Sequence, residues 1–293
     1  MRILVTGSNG LLGQKIIGQL LKKKVEFLAT SQGENRNSRC SDSRYQALDV
    51  TDSKEVEYVI SSFRPTHIIH TAALTNVDEC ELNPEKCNTI NVLGTSYLFN
   101  VCKKENIHFQ LVSTDFVFDG LKGDYSEEDA VNPLSVYAQS KVDGENLLIN
   151  SDFTNWSISR TIIVYGVGEN LSRSNLLVWV KEALPKGEKM RIIDDQFRAP
   201  TWADDLAWGC IRICELNRKG IFHLSGPITY SIFEIIELVA KYYNYSMENV
   251  ERISSSTLNQ PAKRPPRTGF DISKARSILG YNPKRIEQTL DLF

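Results

Sequence analysis

Arg2-Ile3-Leu4-Val5-Thr6-Gly7-Ser8-Asn9-Gly10-Leu11-Leu12-Gly13 is the stretch whose reading decides the fold. A short aliphatic run ends at a glycine-rich turn. Beyond it Leu12, Ile16, Ile17, Leu20 and Leu21 recur at helical spacing. Lys22, Lys23 and Lys24 close that helix, where cations suit its dipole. The glycines therefore fall on a strand-to-helix turn. Such a turn lets backbone N–H groups approach a pyrophosphate, with the positive end of the helix pointing at it. A plain tight turn would account for the glycines alone; the strand before and the helix after favour dinucleotide binding, with Gly7, Asn9, Gly10, Leu11, Leu12 and Gly13 forming the cradle.

Working outward, strand and helix patterns alternate. Residues 25–29 and 45–48 read as strands, and Asp52 or Ser53 caps a helix that runs to Phe63. His67-Ile68-Ile69-His70 reads as a buried parallel strand with structural histidines, ending at Thr71-Ala72-Ala73, where small residues admit a cofactor ring. Residues 84–104 look helical and 109–113 form a fifth strand. The fold class is α/β, a doubly wound parallel sheet of the Rossmann type. After Tyr165 the alternation weakens. Helices are expected at 170–184, 202–215, 231–243 and 272–279, with short strands at 190–193 and 221–224. The expected division is a dinucleotide-binding domain over 1–165 and a smaller C-terminal α/β substrate domain over 166–293, the helix near 202–216 packing back on the first domain.

Composition narrows the function classes. The chain has 293 residues, 41% hydrophobic and 24% charged, with a formal net charge of −2, and no Lys/Arg block could track a nucleic-acid backbone. Met1-Arg2 leads directly into a strand without signal-peptide architecture, and no apolar run approaches a membrane span, so a cytoplasmic protein is expected. Cys40, Cys80, Cys87, Cys102, Cys210 and Cys214 include no Cys-x-x-Cys pair and read as reduced buried thiols; no metal site is expected.

Three features carry chemistry. Tyr137-Ala-Gln-Ser-Lys141 places a phenol and an ammonium four residues apart on one helix face, where the amine favours the tyrosinate and lowers the phenol's pKa toward neutrality. Thr114 stands at the carboxyl end of the fifth strand, where α/β sheets bind ligands, and its hydroxyl can meet a substrate oxygen whose charge changes. No Asp or Glu ends the second strand to bind a ribose hydroxyl. Ser31, Arg36 and Arg39 can instead accept a 2′-phosphate, or the arginines decorate a polar loop.

With these residues in place the chain resembles the extended branch of the short-chain dehydrogenase/reductase superfamily, and within it the dTDP-4-dehydrorhamnose reductase family. The likeness rests on residues 6–13, 70–84, 90–95 and 113–120, on Tyr137 and Lys141, and on Arg160-Thr161, Asp195-Gln-Phe-Arg-Ala-Pro-Thr201 and Arg264-Pro265. It implies hydride transfer from NADPH, with NADH admissible, to the 4-keto carbon of a dTDP-4-dehydro-6-deoxyhexose. Tyr137 is then the general acid, Lys141 its pKa modulator and nicotinamide-ribose ligand, and Thr114 the residue that positions the carbonyl. Asp49, Val50, Ala72 and Ala73 are implied on the cofactor side. Val77, Asp115, Phe116, Arg198 and Arg264 are implied on the sugar side, with Lys263 and Arg267 near a diphosphate. Dehydratases of this branch follow the threonine with Asp-Glu; Asp115-Phe116 argues against elimination. Ile163 stands where Trp is common and Arg198 where Gly is frequent, the arginine serving a diphosphate or facing solvent. The resemblance allows a homodimer. A non-catalytic regulatory subunit on the same fold, as of methionine adenosyltransferase, and a nucleotide-sugar epimerase are the alternatives.

Overall fold

A computed structural model describes residues 1–292. Seven strands form its main sheet: β1 (Arg2–Thr6), β2 (Glu26–Ser31), β3 (Tyr45–Ala47), β4 (His67–His70), β5 (His108–Thr114), β6 (Trp156–Thr161) and β7 (Gly220–His223). Every pairing is parallel, and the spatial order is β7-β6-β5-β4-β1-β2-β3. The order reverses between β1 and β4. Connections leave that point on opposite faces of the sheet, which opens a crevice at the carboxyl ends of the strands.

Both faces of a parallel sheet must be covered, and alternate residues of each strand serve the two layers. Ile3 and Val5 pack with Ile16, Ile17 and Leu20 of α1 (Leu11–Lys22) and with Leu206, Cys210 and Ile213 of a helix from the far end of the chain, Ala203–Glu215. Leu4 and Ile68 face the other way, against Val56 and Ile60 of α2 (Ser53–Phe63) and Leu98 of α3 (Gly94–Glu105). Asp52 starts α2 by accepting from the backbone N–H groups of Lys54 and Glu55. All six cysteines are buried and unpaired.

Beyond Tyr165 a separate core gathers Leu177, Val180, Met190, Ile192, Ile235, Ile236 and Val239. The helix Ile232–Tyr243 in it begins with a capping box between Ser231 and Glu234. The chain does not divide cleanly at residue 165, however. Ala203–Glu215 lies against α1, and β7 completes the edge of the main sheet beside β6. Residues 203–223 thus belong to the first layer, because β6 would otherwise be an uncovered edge.

Two helical stretches differ from the pattern. Of the 170–184 segment only Leu176–Ala183 is α-helical, capped by Asn175 and followed by a 3-10 turn at Leu184–Lys186. The residues before it hold side-chain and backbone bonds that compete with a helix: Gln14 and Glu169 exchange two hydrogen bonds, and Asn170 has φ 48°. The 84–104 stretch is interrupted by a π-turn at Thr89–Leu93. Asn91 within it exchanges hydrogen bonds with the backbone of Leu74 and donates to Ser140, which anchors the widened turn.

A buried ion pair joins the sheet to α4 (Val136–Ile149). Arg160 of β6 meets the Glu145 carboxylate through two contacts of 3.0 and 2.6 Å, both side chains being 2% exposed. Glu145→Ala leaves the guanidinium without a counter-ion and should lower stability by about 3–5 kcal/mol. Urea denaturation of the two proteins measures this difference.

Candidate active site

A single cavity of about 990 Å³ runs from the glycine turn to the carboxyl end of β5. At one end Gly7 has φ 70°, and a Cβ there would lie 2.7 Å from the backbone nitrogen of Ala72. A Cβ on Gly13 would lie 2.4 Å from the Gly7 carbonyl oxygen. The turn can therefore close only with glycine at both places. Gly10 precedes α1 without a side-chain cap, so the first-turn N–H groups of Leu11, Leu12 and Gly13 remain open toward the cavity they line. Asn9 holds the turn to the next loop by accepting from the Arg36 N–H at 2.9 Å. Ser31, Arg36, Asp49, Val50, Ala72 and Ala73 also line this end. Arg39 does not: its side chain is 70% exposed and lies 3.9 Å from Glu169. The group this end fits is a dinucleotide. A helix start meets it, no acidic residue ends β2, and the buried Ser113 hydroxyl on the cavity wall lacks a hydrogen-bond partner.

At the other end Thr114, Tyr137 and Lys141 share one wall. Ser135 caps α4 by accepting from the Ala138 N–H, and this sets the helix phase that turns Tyr137 and Lys141 inward. Lys141 donates from Nζ to the Val112 carbonyl at 2.8 Å. Burial pulls its pKa down to about 8, against a smaller opposing effect of Glu145. Burial pushes the Tyr137 phenol well above its ordinary value; contact with the Thr114 hydroxyl and the Arg173 cation act the other way, and Asp115 reinforces burial. This corrects the expectation of a phenol lowered toward neutrality. Desolvation outweighs every cation, and Lys141 spends its contact on a backbone carbonyl.

The sugar-side residues divide. Val77, Asp115 and Phe116 line the cavity, the Phe116 ring meeting Tyr137 edge-on at 6.1 Å. Arg264 is tied to Asp78 at 2.7 Å and lies off the cavity wall, as do Lys263 and Arg267. Arg198 neither reaches the cavity nor faces solvent: it is 2% exposed and donates to the carbonyls of Phe197, Pro265 and Pro266. Ile163 lines the cavity with φ 29°, a strained conformation for a β-branched residue. Sequence reading missed Arg173, which lines the cavity and donates to Thr75 Oγ1 at 2.6 Å. Nothing in its local pattern marks it. His70, by contrast, is held between Thr6 and Thr95 at 2.7 and 3.1 Å and driven by burial to a pKa of about 3, as befits a neutral structural residue.

Fold and site together define a dinucleotide-binding α/β protein whose cavity runs along the carboxyl ends of the strands. More particularly, the chain belongs to the family described as RmlD substrate binding domain, whose model matches residues 1–293. It is 31% identical to a dTDP-4-dehydrorhamnose reductase of Aggregatibacter actinomycetemcomitans, over 99% of this chain and 97% of that protein. It is 28% identical to the methionine adenosyltransferase 2 subunit beta of Xenopus laevis, over 94% of this chain and 82% of the subunit. Among solved structures, the dTDP-4-dehydrorhamnose reductase of Bacillus anthracis in complex with NADP superposes with a TM-score of 0.85 at 25% identity, covering 100% of this chain and 98% of that one.

The depressed Lys141 pKa has a sign that can be tested. Between about 8 and 10.5 the unfolded chain binds the proton that the folded chain has lost, so stability rises with pH across that window. Below it the buried ammonium costs on the order of 3 kcal/mol. Lys141→Met should therefore be more stable than the parent at pH 7 by up to about that amount, with the difference shrinking by pH 10; urea midpoints at the two pH values measure it.

Proposed function

We propose that this chain reduces the 4-keto group of a dTDP-4-dehydro-6-deoxyhexose, with dTDP-4-dehydro-L-rhamnose the preferred substrate and dTDP-L-rhamnose the product. The observation that carries this reading is the convergence of Thr114, Tyr137 and Lys141 on the cavity that the glycine turn opens. NADPH is the proposed cofactor and NADH an admissible one, since Ser31 and Arg36 line the cavity with no acidic residue at the end of β2. When bound, the reduced nicotinamide supplies the hydride. Tyr137, kept protonated by its burial, gives its proton to the developing alkoxide. Lys141 stays charged near pH 7 and offers a cation to the tyrosinate that results. Phe116, where a dehydratase would carry glutamate, places an apolar ring against Tyr137 and leaves no second base for elimination. A cytoplasmic location fits such a reaction.

The similarity to methionine adenosyltransferase subunits supports a second reading, a non-catalytic nucleotide-binding subunit. A binding module has no chemical reason to keep an acid, a buried lysine and a strand-end hydroxyl on one wall. Tyr137→Phe should cut turnover of the 4-keto nucleotide sugar about a hundredfold or more while leaving the NADPH dissociation constant within twofold, roughly the scatter of near-neutral substitutions. Steady-state NADPH oxidation and a fluorescence titration measure the two quantities. Unchanged turnover would remove Tyr137 from the mechanism.

A further inference from the structure

Arg198 is among the largest fully buried side chains of the protein, yet it belongs to neither hydrophobic core nor cavity wall. It sits on the middle strand of a three-stranded sheet, Phe197–Arg198, flanked by Tyr230–Ser231 and Arg267–Thr268. Its Nε lies 3.7 Å from Asp115 Oδ2, and its guanidinium lies 5.5 Å from the centre of the Phe116 ring. It thus touches both residues that follow Thr114. Thr268, opposite Arg198 in the strand pairing, donates to the same Asp115 oxygen. Thr114 Oγ1 in turn donates to Asp115 Oδ1 at 3.0 Å and accepts from the Phe116 N–H at 3.2 Å.

A threonine hydroxyl has one proton. Three acceptors compete for that of Thr114: the Asp115 carboxylate, a Tyr137 oxygen turning into tyrosinate, and a substrate carbonyl. In the structure Asp115 holds it; an ionised Asp115 can only accept and so fixes that direction, whereas a protonated one could donate instead. We propose that Arg198 is the positioning residue that keeps Asp115 an anion, so that the Thr114 hydroxyl stays anchored on Asp115 and is held in place beside the Tyr137 phenol. Loss of that anion frees the hydroxyl to turn away from the general acid. Burial raises the Asp115 pKa above the ordinary carboxylate value, and Arg198 is the largest influence acting against it, with Thr268 and Thr114 adding to that. The other ionisable groups facing this cluster are Tyr137, which the Asp115 charge pushes up, and Arg264, which acts on Arg198 and is itself neutralised by Asp78.

This inference rests on the ketoreductase reading for its kinetic half only, so its test has two arms. In the first, protein labelled with carbon-13 at the aspartate carboxyls is titrated by NMR, the Asp115 resonance being assigned by its loss in Asp115→Asn. Arg198→Met should move the Asp115 midpoint upward by at least about one pH unit. In the second, kcat for reduction of the 4-keto nucleotide sugar is followed against pH. Arg198→Met should lose about tenfold on the acid side of the new midpoint and regain rate above it, with the NADPH dissociation constant unchanged. Arg198→Lys, which keeps the charge, should restore much of both and serves as the test if the Met variant does not fold. An Asp115 midpoint that does not move in either variant overturns the proposal. So does a uniform, pH-independent loss of kcat. Absence of turnover in the parent protein would instead reject the ketoreductase reading and leave the NMR arm to decide.

Discussion

The contact between Gly13 of α1 and the Gly7 carbonyl governs the arrangement of the whole chain. With 2.4 Å between that oxygen and the place a Cβ would occupy, any side chain at Gly13 would push α1 off the end of β1. Because α1 sits flush there, its uncapped N-terminus faces the crevice at the switch point. The same placement lets Ile16, Ile17 and Leu20 reach the sheet. The helix Ala203–Glu215 packs on α1 in turn and brings β7 to the sheet edge, so a steric condition at residues 7 and 13 sets where residues 203–223 must return.

Two buried arginines tie the later half of the chain to that frame, and they do so differently. Arg160 meets a carboxylate through two short contacts, which satisfies both charges. Arg198 meets Asp115 at 3.7 Å and gives its hydrogen bonds mainly to backbone carbonyls at Phe197, Pro265 and Pro266. The second arrangement organises a loop and at the same time sets a positive charge beside Asp115. It sets the 265–268 segment against the end of β5 and so connects residues about 150 positions away to Thr114.

Local patterns in the sequence were enough for features made by local physics. The glycine turn, the Asp52 and Ser231 caps and the inward phase of Tyr137 and Lys141 each depend on residues within a few positions of one another. What escaped depends on partners far along the chain. The π-turn at Thr89–Leu93 is held by Leu74 and Ser140, and no periodicity in residues 84–105 announces it. Arg264 and Arg198 read as cations for a diphosphate or for solvent because charge is visible in a sequence and burial is not. Their partners, Asp78 and Asp115, lie far away along the chain. Strand β6 carries Ser157, Ser159 and Arg160, polar residues whose burial no local pattern shows.

The acid–base set shows the same separation between type and environment. Tyrosine four residues before lysine suggests mutual stabilisation of their charged forms, but their surroundings favour the neutral phenol and weaken the ammonium, because both groups are desolvated and Lys141 points its Nζ at a carbonyl. A site held this way favours the neutral phenol over the tyrosinate. Type and spacing thus fix which groups stand together, and burial fixes which of their charged forms is disfavoured.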